Sequence, residues 1–303
     1  MEIKKTKLEY WHVDVFSRVP FSGNSLTVFP NSENLTKEQM RRITEEMRHF
    51  ESIFLEREAD DKTFRARVFD LIRELDFAGH PILGAAGVMH LLSNSALKTE
   101  EWKFVLNNKT VTVRTEDVGG YYSALLDQGQ PEFIRSVETE RAAEFAAALN
   151  LEAANLSREL PLEVVSTGLR YLILPLADGL EKARIVNRDF ENLLASVGAE
   201  FAYVLDVNNL EGRHWNNDGI IEDIATGSGA GCVGAYLCKH RRVPANKEFI
   251  LRQGRFAGRP SQIRVLPAGV SDNVKSVLVG GDVTIVGSGN LRVLPAARLR
   301  AKV

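Results

Sequence analysis

A chain of 303 residues exceeds one ordinary core and predicts two domains of roughly 150 residues each. Its hydrophobic content of 44% and charged content of 26% are those of water-soluble globular chains. A net charge of −2 excludes the electrostatic footprint of a nucleic-acid or anionic-membrane binder, and no run approaches the ~20 apolar residues of a membrane-spanning helix.

The chain opens on Met1-Glu2-Ile3-Lys4-Lys5-Thr6-Lys7, with charge but no apolar stretch after it, so no signal peptide is expected. Residues 11–16 and 26–29 read as strands. Thr36 and Gln39 then form a T-x-x-Q capping box, with Leu35 and Met40 at the staple positions. Met40, Ile43, Met47 and Phe50 continue an apolar stripe, and this helix is predicted to end just before Glu51. Strands follow at 53–56 and at 64–70, where alternation predicts an antiparallel sheet with one wet face. A helix starts near Pro81, a residue suited to a first turn, and runs to Leu92. Strands at 102–106, 111–115 and 121–127 lead to a linker at Gly129-Gln130-Pro131, and 138–149 is helix-like. Strands at 171–175 and 201–206 precede a second small-residue helix from about Gly229 to Leu237. Five more short strands are expected at 249–253, 263–266, 277–279, 283–286 and 291–293.

The helices near Pro81 and Gly229 are small or apolar nearly all round, which marks buried helices. Interior glycines cost ~1 kcal/mol each against alanine, so such helices need walls close by. A curled antiparallel sheet supplies them. The two regions also repeat: Asp76-x-Ala78 with Gly84-x-x-Gly87 recurs as Asp223-x-Ala225 with Gly231-x-x-Gly234. Two copies of a sheet-wrapped-helix domain are therefore expected. The first spans 1–129, with a C-terminal strand near 290–303 returning to it, and the second spans 130–290. The fold class is α+β, each domain a mostly antiparallel, barrel-like sheet around a central helix.

Few residues could carry chemistry. Gly229-x-Gly231-x-x-Gly234 formally matches a dinucleotide fingerprint, but it follows no apolar strand and opens no βαβ unit, so close helix packing is the better account. Thr226-Gly227-Ser228-Gly229 offers backbone N–H groups and a hydroxyl at a helix start, where anions are favoured; Ser228 could equally be a plain N-cap. His80, between Gly79 and Pro81, sits at the other helix mouth. Glu51 follows a helix and has Phe50, Ile53 and Phe54 nearby, apolar company that suits a carboxyl group able to take and return a proton. No histidine or cysteine pair has metal spacing, so no metal is expected. Cys232 and Cys238, six apart in one helix, face different ways and fit a reducing cytoplasm without a disulfide.

These pieces together resemble the PhzF-like phenazine-biosynthesis family over nearly the whole chain. The motifs are Val13-Asp14-Val15-Phe16 with Pro20-Phe21-Ser22-Gly23-Asn24; Glu51; and Arg73-Glu74-Leu75-Asp76-Phe77-Ala78-Gly79-His80-Pro81-Ile82-Leu83-Gly84. Further on come Ser166-Thr167-Gly168-Leu169, Asp223-Ile224-Ala225-Thr226-Gly227-Ser228, and Gln253-Gly254 with Gly258-Arg259-Pro260-Ser261. The resemblance implies a diaminopimelate-epimerase-like fold with the site in the interdomain cleft, and a cofactor-independent isomerase acting on a small cyclic or unsaturated carboxylate-bearing substrate. It implies that Glu51 shuttles the proton and that His80, Asp223 and Ser228 line the pocket, with backbone contacts from Gly79 and Gly227. A cytoplasmic homodimer without a membrane or nucleic-acid partner is expected. Phe50 and Ser52 flank Glu51 where the family usually has serine and threonine, and Ile224 stands where proline is common. Two rival functions compete with this one. A cysteine-dependent epimerase needs two facing thiols, and both cysteines lie in one helix. The other is a non-catalytic small-anion-binding or interaction protein on the same fold, and a mere scaffold would need none of Glu51, His80, Asp223 and Ser228.

Overall fold

The computed structural model describes residues 7–58 and 60–296, so Met1–Thr6 and the end of the 290–303 segment lie outside the described residues. Two compact units form: among the described residues the first contains 7–126 and 281–296, the second 127–280.

In the first unit, β1 (Leu8–Val15) pairs antiparallel with β2 (Asn24–Phe29), and β2 pairs parallel with β3 (Glu51–Arg57). Between those parallel strands the chain crosses over through α1 (Lys37–Met47). Thr36 and Gln39 complete the expected capping box, and Arg48 ends the helix in the left-handed conformation. Strand β4 (Thr63–Asp70) pairs antiparallel with β3 and with the short β5 (Glu74–Leu75). Helix α2 (Gly79–Ser93) follows, then β6 (Thr99–Val105), parallel to β4, and the antiparallel β7 (Thr110–Asp117) and β8 (Tyr122–Asp127).

The second unit repeats that order. Strand β9 (Glu132–Ser136) and helix α3 (Thr139–Ala148) come first. Then β10 (Glu163–Ser166) pairs antiparallel with β11 (Arg170–Leu176), which pairs parallel with β12 (Phe201–Asp206) across α4 (Phe190–Ala195). Strand β13 (Glu211–Trp215) pairs antiparallel with β12 and with the short β14 (Glu222–Asp223). After α5 (Gly227–Lys239), β15 (Phe249–Gln253) lies parallel to β13, and β16 (Ser261–Val270) and β17 (Asn273–Leu291) continue antiparallel. The sheets are therefore mixed, curled rather than evenly closed, each with the same sequence of parallel and antiparallel joins.

Each unit buries its small-residue helix. Residues Gly79–His90 of α2 and Gly227–Cys238 of α5 are all buried. A Cβ on Gly84 would crowd Val15 at 3.0 Å and Leu26, and one on Gly87 would lie 2.8 Å from Val283. In α5, a Cβ on Gly229 would lie 2.8 Å from Tyr203, while one on Gly231 would overlap the Gln128 amide. The G-x-G-x-x-G spacing thus serves close approach of side chains to a helix. On the other face of the first sheet, α1 covers Phe29, Phe54 and Phe69 with Met40 and Ile43.

Several expectations change. The three short strands predicted over 277–293 are one strand, β17, whose paired neighbours carry it past Gly280 and Gly281. Strand β13 is an addition, because Glu211-Gly212-Arg213-His214-Trp215 reads as polar, yet all five residues are buried. Its charges are paired: Arg255 Nε lies 2.9 Å from Glu211, and Arg213 Nε lies 2.8 Å from Glu222.

Candidate active site

Glu51 starts β3, flanked by β2 and β4, so it is an interior rather than an edge position. It is 7% exposed. Strand alternation puts Glu51 and Ile53 on the face toward α2. Phe54 instead stacks on Phe29 on the α1 side, with ring centroids 4.6 Å apart, so it is not a neighbour of the carboxyl group. His80 is not outside the helix mouth but within the first turn of α2, and it is buried. Its Nδ1 lies 3.5 Å from Glu51 Oε2 and 3.5 Å from Asn24 Nδ2. A carboxyl group and an imidazole at this separation can share a proton with only slight closure. Asn24 belongs to a quoted motif, but its place beside His80 had no signal in the sequence.

The start of α2 is Ala78, whose side chain makes no capping bond. The same holds for α5, which starts at Thr226 rather than at Ser228. By contrast, the surface helix α1 has a full capping box. At neither buried start does the N-cap residue's own side chain bond the first turn, where backbone N–H groups favour an anionic ligand.

At α5 the polar groups interlock. Ser228 lies in the first turn, and its Oγ is 2.8 Å from the Tyr171 hydroxyl. The Thr226 hydroxyl donates not to its helix but to Asp223 Oδ2, at 2.6 Å. Gln128 Nε2 donates to the Gly227 carbonyl at 2.9 Å, while its Oε1 accepts from Thr167 at 2.8 Å. His214 sits opposite Asp223 in the β13–β14 register. Its Nδ1 is 2.8 Å from the Ala202 carbonyl, which only accepts, so Nδ1 carries the proton. Burial pulls the His214 pKa below its ordinary value, against the opposing pull of Asp223.

The cysteines are free and buried. Burial pushes the Cys232 thiol up to about 12, so it does not supply a thiolate at neutral pH. Among the described residues no cluster of three or more His, Cys, Asp or Glu could hold a metal, and no helix is long and apolar enough to cross a membrane.

The fold is that of solved isomerase-type structures. A predicted epimerase from Pseudomonas aeruginosa superposes with a TM-score of 0.88 at 43% identity, covering 94% of this chain and 99% of that one. A hydroxyproline epimerase from Agrobacterium vitis shares the fold alone, with a TM-score of 0.66 at 13% identity over 97% and 94% of the two chains. A trans-2,3-dihydro-3-hydroxyanthranilate isomerase of Pseudomonas aeruginosa is 30% identical over 292 residues, 90% of this chain and 95% of the relative. Fold and relatives make this chain an isomerase. A model of the phenazine biosynthesis-like (PhzC-PhzF) proteins matches residues 13–289, and the chain belongs to that family.

Proposed function

We propose that the chain moves a proton on a small cyclic or unsaturated substrate bearing a carboxylate, without a cofactor, and that Glu51 is the shuttle. The observation that carries this reading is the buried Glu51–His80 contact, 3.5 Å long, at the buried start of α2. Glu51 would take the proton from carbon and return it to another carbon, and His80 would hold the carboxyl group oriented between the two events. Gly79 would offer its backbone N–H to the substrate's charge as it develops. In the second unit, Gly227 and Ser228 at the start of α5 would bind the carboxylate, and Asp223 would accept from a substrate amine or hydroxyl.

The test is turnover of trans-2,3-dihydro-3-hydroxyanthranilate, and of a panel of cyclic and unsaturated amino and hydroxy acids, in deuterium oxide. Product should carry solvent deuterium, and Glu51→Gln should lose turnover by at least ~10²-fold while still binding ligand. Near-normal turnover in Glu51→Gln would exclude the shuttle.

A further inference from the structure

The Gln253-Gly254 … Gly258-Arg259-Pro260-Ser261 motif has no part in the chemistry above, yet Gln253 is 1% exposed and makes four side-chain hydrogen bonds. Its amide orientation follows from two backbone groups that have only one role each. The Asp223 carbonyl can only accept, and Gln253 Nε2 stands 2.9 Å from it. The Thr226 N–H can only donate, and Gln253 Oε1 stands 3.0 Å from it. With the amide so fixed, Nε2 also donates to Thr226 Oγ1 at 2.9 Å. That hydroxyl, already accepting, directs its own hydrogen at Asp223 Oδ2, 2.6 Å away. The Tyr203 hydroxyl closes the chain from behind, donating to Gln253 Oε1 at 2.9 Å.

The surroundings are shaped to hold this relay. Tyr203 is fully buried, and Gly212 and Gly229 leave room for its ring, since a Cβ at either would collide with it. Gly254 has φ +83°, and a Cβ there would lie 2.6 Å from the Ile224 carbonyl. The turn after it is tied by Arg259 N–H to the Gly254 carbonyl at 3.0 Å and by Ser261 Oγ to the Arg259 carbonyl at 3.1 Å. The glycine thus lets β15 end against the segment that carries Asp223. The charged and titratable groups facing this cluster are His214 from β13, Tyr171 from β11, and Glu211, whose charge reaches Tyr203.

We infer that Gln253, working through Thr226 and backed by Tyr203, is a positioning residue that locks the Asp223 carboxylate in one rotamer for the substrate. The inference rests on the reading that Asp223 contacts substrate, and two separate measurements keep the two apart. The first is the crystal structure of Gln253→Glu and of Thr226→Val, neither of which needs a substrate. Gln253→Glu replaces the donor to Asp223 and Thr226 with an acceptor, and Thr226→Val removes the hydroxyl at nearly constant shape. Asp223 should leave its rotamer in both, and Thr226→Ser should restore it. A carboxylate that stays within ~0.5 Å of its original place in the two disruptive variants overturns the inference. If Gln253→Glu does not fold, Thr226→Val and Thr226→Ser decide between the outcomes.

The second measurement is kinetic, with trans-2,3-dihydro-3-hydroxyanthranilate as probe. Thr226→Val should lower kcat/KM on the order of 10- to 100-fold, as expected for losing a hydrogen bond to a charged group, and Thr226→Ser should recover most of it. Equal loss in Thr226→Val and Thr226→Ser indicates mere destabilisation and also overturns the inference. Retained turnover in Glu51→Gln overturns the proton-shuttle reading instead, and the Asp223 rotamer in the crystal still tests the role of Gln253.

Discussion

Helices α2 and α5 follow the same order of strands, yet their first turns are furnished differently. Before each helix a short strand is clamped by a two-pronged arginine–glutamate pair. Arg67 Nε and Nη2 meet Glu74 at 2.7 and 2.9 Å, and Arg213 Nε and Nη2 meet Glu222 at 2.8 and 2.7 Å. Beyond the clamps the likeness stops. His80 of α2 meets one carboxyl group and one amide at 3.5 Å, whereas the start of α5 is tied by bonds of 2.6–3.0 Å among Asp223, Thr226, Gln253 and Tyr203. On the proposed function the two units share a scaffold and divide the work. Loose contacts suit a proton that must move, and short, directed ones suit a binding group that must not.

The largest test of this division is kinetic. Glu51→Gln should lose kcat by at least ~10²-fold, with KM little changed. Ser228→Ala should show the opposite split, raising KM about tenfold and changing kcat only a few-fold. If both variants lose kcat alike, the division is wrong.

The two clamps should differ in strength when broken. Arg213 also donates to the carbonyls of Leu180, Glu181 and Ala183, and its guanidinium lies 4.6 Å from the Trp215 ring and 4.4 Å from Phe256. Denaturant unfolding of Arg213→Met should show a loss of about 3–5 kcal/mol, because a half-buried glutamate and three carbonyls lose their partner. Arg67→Met should cost about 1–2 kcal/mol, since Lys37 remains 2.6 Å from Glu74.

Acid should act on the first clamp. The hydrogen bonds from Arg67, and then from Lys37, draw the Glu74 pKa from 4.5 down to about 2. A depressed folded-state value means stability that is present above pH 4.5 and lost as the pH falls toward 2. About 2 kcal/mol should disappear over that window, and Arg67→Met should flatten this part of the stability–pH curve.

The smallest effect is expected at Cys232. Cys232→Ala should change turnover less than about twofold, and native protein at pH 8 should resist thiol reagents at this position, because burial holds the thiol pKa up at about 12. Loss of activity on alkylation of Cys232 would revive the cysteine-dependent mechanism.

What the sequence made legible is what local chemistry determines. The Thr36–Gln39 box is complete within four residues, and α1 formed where it pointed. The glycine-rich helices announced their burial because small residues there have no other purpose. Long-range partnerships left no such trace. Gln128 caps a carbonyl 99 residues away, and Gln253 reaches Thr226 across 27 residues. Thr226 looked like an ordinary turn residue beside the more suggestive Ser228, although it starts the helix and serves Asp223. Strand β13 was hidden because each of its charges is neutralised by a residue from elsewhere, something no hydropathy pattern records.

Strand β17 begins in the second unit and ends in the first, where Val283 pairs with Val15 and Leu291 with Leu8. During synthesis the contiguous segment 127–280 can therefore close on itself before the older, N-terminal part of the chain is complete. A polypeptide interrupted at Gly280 would hold a finished second unit and a first unit with one side of β1 unmatched. Such a side is a template for another chain. The late-made half of β17 is thus what covers that side of the early-made β1.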